Sequence, residues 1–206
     1  MVIWVNKAYN MDCMEYMRTI PDKVFDLAVV DPPYGINITN SGRLKKYNAN
    51  TAKWDSETPQ KNYFLELCRV SKNQIIWGGN YFHLPPTRGF LIWDKKQPEG
   101  VSFASCEFAW TSFDQSAKTF YYSMLNDKDF RIHPTQKPVA LYSWIFRRYA
   151  KQGDKILDTH LGSGSSRIAA YDAGLDFVGC EIDRDYFKAQ EERFAAHTAQ
   201  CSLFTR

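Results

Sequence analysis

A stretch in the last quarter of the chain constrains the fold more than any other. Lys155-Ile156-Leu157-Asp158 predicts a short strand, and a glycine-containing turn and a helical stretch to Ala173 follow it. Gly174 suits a helix stop, and Asp176 to Cys180 predicts the next strand. Strand, helix and strand in this order predict a right-handed parallel connection, so we expect an α/β sheet.

The turn of this unit has the groups that a small ligand needs. Gly162 and Gly164 would let a ligand approach the backbone, and the helix start would offer free N–H groups to a carboxylate. Asp158 could accept from a ligand ammonium, and Glu181 could accept both hydroxyls of a ribose. A dinucleotide-binding fingerprint would need a glycine in place of Arg167, so a nicotinamide cofactor is disfavoured.

Three serines and a histidine lie in the same turn. Ser163, Ser165 and Ser166 have no histidine and aspartate in a triad-like context, so we predict loop donors to the ligand, not nucleophiles. His160 is predicted to bind the cofactor, with a polar loop residue as the alternative. Neither interpretation makes it catalytic.

Asp31-Pro32-Pro33-Tyr34 forms a second constellation, directly after an apolar run, Phe25 to Val30, that predicts a buried strand. The Asp31 carboxylate and the Pro32 carbonyl could accept hydrogen bonds from a poorly nucleophilic amine. The two prolines restrict the backbone, so these acceptors would be preorganised. The Tyr34 ring offers a surface on which an extruded base can stack. Whether Asp31 also takes the proton of the amine stays open.

Five further segments belong with these two, and together they resemble a known family. The segments are Asn10 to Glu15, Trp77 to Asn80, Phe90 to Lys95, Cys106 to Trp110 and His133 to Pro138. This set is similar to the amino-methyltransferases that use S-adenosylmethionine. The Asp-Pro-Pro-Tyr loop precedes the glycine loop, which is the permuted order of the β class of DNA methyltransferases.

The resemblance implies a fold, a reaction and a set of site residues. The fold would be Rossmann-like and doubly wound, with a mostly parallel seven-stranded-type sheet and helices on both faces. The reaction would pass a methyl group from S-adenosylmethionine directly to N6 of a flipped adenine in DNA, leaving S-adenosylhomocysteine and no covalent enzyme intermediate. The implied catalytic residues are Asp31, Pro32, Pro33 and Tyr34. The implied cofactor-binding residues are Asp12, Cys13, His133, Thr135, Lys137, Asp158, His160, Gly162, Ser163, Gly164, Ser165 and Glu181.

Other functions stay open beside this one. In the family, Asp at the first loop position goes with adenine and Ser with cytosine, so a cytosine-N4 methyltransferase is the nearest alternative. RNA and protein-glutamine methyltransferases are disfavoured, because they start the loop with Asn and place the glycine loop first. A regulator that binds nucleic acid is a third alternative, since Asp158-Thr159-His160 stands where the family has Asp-Pro-Phe.

The segment after the catalytic loop predicts contact with nucleic acid. From about residue 36 to 58 it lacks apolar periodicity and is longer than most ordered connections, which indicates a mobile or functional loop. Its cations could neutralise phosphates, and a solvated loop without contacts is the alternative. The predicted nucleic-acid-binding residues are Tyr34, Arg43, Lys45, Lys46 and Lys53.

Length and composition set the remaining expectations. A chain of 206 residues with 44% hydrophobic content suits one methyltransferase domain, residues 1–206, with a short target-recognition region at about 112–132. So short a region is compatible with a homodimer. Five scattered cysteines indicate a cytoplasmic protein, and neither they nor the four histidines have metal spacing, so no metal is expected. No signal peptide or membrane span is evident, and a net charge of +3 requires any DNA surface to be local.

Overall fold

A mixed sheet forms the centre of the molecule in the computed structural model, which describes residues 6–38, 55–98, 100, 104–123 and 131–204. The sheet has eight strands in the order β1-β8-β7-β2-β3-β5-β4-β6. Only β5 runs antiparallel to its neighbours in this sheet. The strands are β1 Lys7–Asn10, β2 Phe25–Val30, β3 Ser71–Trp77, β4 Phe90–Asp94, β5 Cys106–Thr111, β6 Lys118–Tyr121, β7 Lys155–Asp158 and β8 Asp176–Glu181.

Helices cover both faces of this sheet, which confirms the doubly wound α/β class. They are α1 Cys13–Arg18, α2 Lys61–Val70, α3 Val139–Tyr149, α4 Ser165–Asp172 and α5 Arg184–Phe204. Alternate residues of β2 point to opposite faces, as a pleated strand requires. Leu27 packs in a buried cluster with residues of α3 and α4, whereas Ala28 packs in a cluster with residues of α1 and α2.

The structure differs from the sequence-based expectations at three places. The sheet has one strand more than the expected seven, namely β1, which pairs parallel with β8. The patterns at Phe90 to Asp94, Ser105 to Thr111 and Lys118 to Tyr122 predict an antiparallel portion, but β6 pairs parallel with β4, so only β5 is antiparallel in this sheet. Thr58 followed by Pro59 predicts the start of a helix, but α2 begins at Lys61, because Gln60 is still extended, with ψ of 158°.

The carboxyl ends of the parallel strands meet at one edge of the sheet. In open α/β sheets this edge is where ligands bind. Asp31 follows β2, while Asp158 and Glu181 end β7 and β8. The topology therefore brings the two predicted constellations together, and within the described ranges no helix is long and apolar enough to cross a membrane.

Candidate active site

A cavity of about 280 Å³ opens at this edge of the sheet. Its walls come from the ends of β1, β2, β7 and β8 and from the segment before α3. The structure thus gathers side chains that are far apart in sequence. The predicted site residues that line it are Asp12, Cys13, Asp31, Pro33, His133, Thr135, Lys137, His160, Gly162, Ser163 and Glu181.

Five predicted residues lie outside the cavity lining, namely Pro32, Tyr34, Asp158, Gly164 and Ser165. Asp158 and Ser165 are buried, each only 2% exposed. The Ser165 hydroxyl accepts a hydrogen bond from Arg193 at 2.9 Å, so it contacts α5. Asp158 and Ser165 therefore lie beneath the turn.

The glycine loop has the backbone that the sequence predicts. Gly162 and Gly164 have φ of +52° and +73°, values that favour glycine. The Gly162 N–H donates to the Glu181 carboxylate at 2.8 Å. A Cβ on Gly162 would stand 3.7 Å from the His133 ring, so the segment before α3 lies against this loop, as the resemblance implies.

Two carboxylates stand at the far side of the cavity. Asp12 accepts from the N–H groups of Met14 at 2.7 Å and Glu15 at 3.1 Å, and so caps α1. Glu181 accepts from the N–H groups of Gly162 and Asp183. A carboxylate has about four acceptor positions, so both side chains retain capacity for a ligand.

Asp158 lies beneath the loop, and its pKa is far from the ordinary value of an aspartate. It accepts from the Ser166 hydroxyl at 2.5 Å and from the His160 N–H at 3.0 Å. Burial raises the pKa of Asp158 to about 7, although both hydrogen bonds act to lower it. Folding therefore favours the protonated form of this side chain.

Asp158→Asn is expected to stabilise the protein at alkaline pH. The folded protein binds the Asp158 proton more tightly than the unfolded chain. The contribution of Asp158 to the free energy of unfolding is therefore full below about pH 4 and is lost as pH rises to about 7. Asparagine is neutral at every pH, so the free energy of unfolding of the variant should exceed that of the wild type by an amount that grows across this window, to at most about 4 kcal/mol above pH 7. Urea denaturation at pH 4.5 and pH 8 measures the difference.

Asp26→Asn provides a comparison of opposite sign for that experiment. Burial acts to raise the pKa of Asp26, but the hydrogen bond and charge of Lys72 hold this pKa below its ordinary value. The contribution of Asp26 is present above the unfolded pKa and is lost as pH falls, so Asp26→Asn should destabilise at pH 8 and approach the wild type in acid. Equal responses of the two variants to pH would contradict the assignment for Asp158.

His160 fills the place where the family has phenylalanine. Its ring meets the Tyr63 ring edge to face at 5.4 Å, and the Tyr63 hydroxyl is 2.6 Å from the Thr159 hydroxyl. Burial lowers the pKa of His160 to about 4, so the imidazole is neutral at pH 7. A neutral buried ring can pack much as phenylalanine does, and the departure from the family pattern leaves the turn intact.

His133 and Thr135 line the opposite wall. The His133 ring packs edge to face on Tyr186, with centroids 4.4 Å apart. Burial and the nearby Lys137 lower the pKa of His133 to about 3, so this ring is also neutral at pH 7. Tyr186 is a lining residue that sequence reasoning missed, because its place in a mixed helix pattern indicates only packing.

The carboxylate of Asp31 is the centre of the site. It accepts a hydrogen bond from the Tyr34 hydroxyl at 2.6 Å and another from the Lys137 ammonium at 2.5 Å. Lys137 was expected to serve the cofactor, yet its charged end pairs with Asp31. The Tyr34 ring stacks on Tyr81, with centroids 4.9 Å apart, so one face of the expected stacking surface is already covered.

Asp55 is a further residue that sequence reasoning missed. Its carboxylate accepts from the N–H groups of Tyr34 at 2.7 Å, Gly35 at 3.0 Å and Ile38 at 2.9 Å. Only 2% of Asp55 is exposed, so these three bonds satisfy a buried charge. Asp55 therefore fixes the backbone just after the Asp-Pro-Pro-Tyr loop. The predicted cations Arg43, Lys45, Lys46 and Lys53 lie outside the described residues.

The sequence profile of DNA methylases of the N6/N4 type matches residues 74–192. This match spans more than half of the chain and includes both the glycine loop and the segment before α3. The chain belongs to the N6/N4 DNA methylase family. It is an S-adenosylmethionine-dependent DNA methyltransferase, as the order of its motifs predicts.

Relatives of this methyltransferase agree over nearly its whole length. The Type II methyltransferase M2.DpnII of Streptococcus pneumoniae is 25% identical, and the match covers 91% of this chain and 88% of the relative. The M1.HpyAVI–SAM complex superposes with a TM-score of 0.58 at 18% identity, covering 91% and 98% of the two chains. The cytosine-N4-specific PvuII DNA methyltransferase gives 0.62 at 12% identity, covering 93% and 90%. At these identities the structures show the fold alone.

The cavity of the methyltransferase suits S-adenosylmethionine in the chemistry of its lining. Asp12 and Glu181 offer acceptors to hydroxyl and amino groups, while Met11 and Ile182 add apolar surface. The loop around Gly162 lies beside Asp31 in the same lining. A cofactor held by the loop would therefore lie next to the carboxylate of the catalytic loop.

Proposed function

We propose that this methyltransferase acts on N6 of an adenine that is flipped out of DNA, by direct transfer without a covalent enzyme intermediate. The observation that carries the proposal is the Asp31 carboxylate, which lines the cavity and is held by Tyr34 and Lys137. Two bonds leave some of its acceptor positions free. An adenine amine could donate to them.

Asp31 and Pro32 would prepare the amine for reaction. The lone pair of an exocyclic amine is delocalised into the base, so acceptors that draw its hydrogens away favour tetrahedral nitrogen. When bound, S-adenosylmethionine supplies a methyl group on an electrophilic sulfonium. Fixed acceptors beside the reacting nitrogen need no reorganisation during transfer, which is the usual source of electrostatic catalysis.

Direct transfer agrees with the state of the two thiols in the cavity lining, Cys13 and Cys180. Burial and the nearby Asp12 raise the pKa of the Cys13 thiol to about 12, and burial together with the nearby Cys13 raises the pKa of the Cys180 thiol well above its ordinary value. A protonated thiol is a poor nucleophile. Cys13 would therefore contact the cofactor and form no bond to the base.

The binding roles follow from the cavity lining. Asp12, Cys13 and Glu181 would hold the nucleoside part of the cofactor, and Gly162 and Ser163 the methionine part. In this proposal the rest of the lining is formed by His133, Thr135, Lys137 and His160. The turn itself would be held from beneath by Asp158, Gly164 and Ser165.

Tyr34 and the basic segment would contact the nucleic acid. Tyr34 lies beside Asp31, where a flipped base would enter, and Arg43, Lys45, Lys46 and Lys53 would neutralise phosphates. The short region at about 112–132 leaves room for a second copy of the chain to share target recognition. The scattered cysteines favour the cytoplasm, since Cys13, Cys68, Cys106 and Cys180 are free thiols.

Isotopically methyl-labelled S-adenosylmethionine tests the proposal. The purified protein is incubated with mixed-sequence duplex DNA and, separately, with RNA, and the digested nucleosides are identified by mass spectrometry. We expect labelled N6-methyladenine from DNA. Labelled N4-methylcytosine would show that cytosine is the target instead of adenine. Label in RNA alone would change the substrate class. Cofactor binding without any labelled nucleoside would favour a regulator.

A further inference from the structure

A row of alternating charges leads from the outer strands to the catalytic carboxylate. The Lys95 ammonium is 2.7 Å from Glu107, Glu107 is 3.0 Å from the Lys137 ammonium, and Lys137 contacts Asp31 at 2.5 Å. The Lys137 side chain is only 3% exposed, and those of Lys95, Asp31 and Glu107 are between 15% and 22% exposed. These charges are thus largely removed from water.

The four side chains come from four different parts of the fold. Lys95 follows β4, Glu107 lies in the adjacent β5, Lys137 precedes α3 and Asp31 follows β2. Lys137 and Asp31 are 106 positions apart in sequence. A row that spans so many elements fixes the distance between the outer strands and the catalytic loop.

Lys137 has few alternatives to this arrangement. Its ammonium lies 5.4 Å from the centre of the Trp77 ring and 5.7 Å from that of Tyr34, so aromatic faces surround the ion pairs. A buried ammonium is costly unless anions accompany it. Asp31 and Glu107 are the two anions beside this ammonium. Glu107 Oε2 forms an ion pair with Lys137 Nζ, but the two atoms are not aligned for a hydrogen bond.

We infer that Glu107 is a positioning residue, which together with Lys95 holds the Lys137 ammonium between two anions, so that Lys137 orients the catalytic carboxylate without being drawn fully onto it. This inference rests on the proposed function, because it assumes that ionised Asp31 receives the substrate amine. Glu107 would touch neither substrate nor cofactor. Its effect would pass through Lys137.

The charges around Asp31 give Glu107 two influences of the same sign. Burial raises the pKa of Asp31, Lys137 lowers it, and Glu107 raises it through its own negative charge. Titratable groups near Asp31 also include Tyr34 of the catalytic loop, Tyr142 of α3 and Asp158 of β7. Direct repulsion by Glu107 and its competition for Lys137 therefore both act to raise the pKa of Asp31.

Glu107→Gln tests this arrangement in the pH profile of methyl transfer. Without Glu107, Asp31 is the remaining anion beside the Lys137 ammonium, so the acidic limb of kcat should move to lower pH. Lys137→Met should move the limb to higher pH, by about one to three pH units, since an opposite charge at contact has an effect of this size. At neutral pH, kcat of Glu107→Gln should fall between about 10-fold and 100-fold, as for a misplaced catalytic group.

Glu66→Gln is the matched control, because Glu66 pairs with Arg69 on α2 with a similar exposure of 26%. It should keep the wild-type profile. Glu107→Gln should keep the wild-type Kd for S-adenosylmethionine, measured by calorimetry. Lys95→Met should move the acidic limb to higher pH, because Glu107 then pairs with Lys137 alone.

Three results would overturn the inference while the wild type remains active. An acidic limb that is unchanged or moves to higher pH in Glu107→Gln would contradict the sharing of Lys137 between Glu107 and Asp31. A weaker Kd for S-adenosylmethionine with unchanged kcat at saturation would make the pair a cofactor-binding element. A profile of Glu66→Gln that matches Glu107→Gln would reveal a general effect of charge. A wild-type protein that labels no DNA would instead reject the proposed function.

Discussion

Asp31→Asn is expected to lower kcat for DNA methylation by about 10³-fold or more, while the Kd for S-adenosylmethionine stays within about twofold. Asparagine keeps the shape of the side chain but offers an amide where the substrate amine needs a full negative charge. Loss of one preorganised group at the reacting atom typically costs between about 10² and 10³ in kcat, and a role of Asp31 as the proton acceptor would add to this. Asp31→Ala should be at least as severe. Single-turnover transfer of labelled methyl groups, with cofactor binding measured by calorimetry, separates the two quantities.

Asp26→Asn is the control for this substitution. Asp26 lies in the same strand β2, and it also pairs with a lysine, Lys72. It stands near the opposite end of the strand from the cavity, so the same chemical change should leave kcat near the wild-type value. Equal losses in the two variants would indicate damage to β2. Wild-type transfer by Asp31→Asn would exclude the proposed role of the carboxylate.

Local patterns were sufficient to predict the elements that carry the site. Strands β2 and β7 have the predicted bounds, Phe25–Val30 and Lys155–Asp158, because each contains a short apolar stretch that an aspartate follows. Asp183 before a helical pattern predicts a cap, and its carboxylate accepts from the N–H groups of Asp185 and Tyr186 at the start of α5. The start and end of an element were therefore predictable where neighbouring residues alone determine them.

Strand β1 shows where such patterns fail. Lys7–Asn10 has only four residues, with exposed ends and no continuous apolar run. Its strand conformation comes from parallel pairing with β8, which is about 170 positions away. The sequence offered no local reason to expect an eighth strand.

The partners of the catalytic carboxylate could not be predicted for a related reason. Lys137 lies in a segment whose resemblance points to the cofactor, and only the packing of α3 against β2 brings its ammonium to Asp31. Asp55 reaches the Tyr34 backbone across a long connection without periodicity. Glu107 offered a signal in the sequence, because it is a charged residue in a segment that predicts a strand. In the structure it pairs with Trp93 of the adjacent strand, and this register puts Lys95 near it.

Gly78→Ala is expected to disturb the same centre by displacing the Tyr34 ring. Gly78 has φ of +71°, and a Cβ there would stand 2.1 Å from Cε1 of Tyr34. The ring cannot withdraw easily, because its hydroxyl is bound to Asp31 and its backbone N–H to Asp55. We expect a loss of about 2 to 4 kcal/mol in the free energy of unfolding, from overpacking together with an unfavourable backbone conformation. We also expect kcat to fall about 10²-fold, since the Tyr34 contact to Asp31 would be lost.

Gly153→Ala separates the backbone effect from the steric one. Gly153 has φ of +86°, and a Cβ there would have no heavy atom within 4 Å. Only the left-handed backbone is penalised, so this variant should lose about 1 kcal/mol and no activity. In the double variant Tyr34→Ala, Gly78→Ala, the obstructing ring is gone, and adding the Gly78 substitution should cost no more than Gly153→Ala. Urea denaturation gives the five unfolding free energies, those of the wild type, Gly78→Ala, Gly153→Ala, Tyr34→Ala and the double variant. If Gly78→Ala costs as little as Gly153→Ala, or costs as much without the Tyr34 ring as with it, then the packing of Tyr34 on Gly78 does not hold the ring beside Asp31.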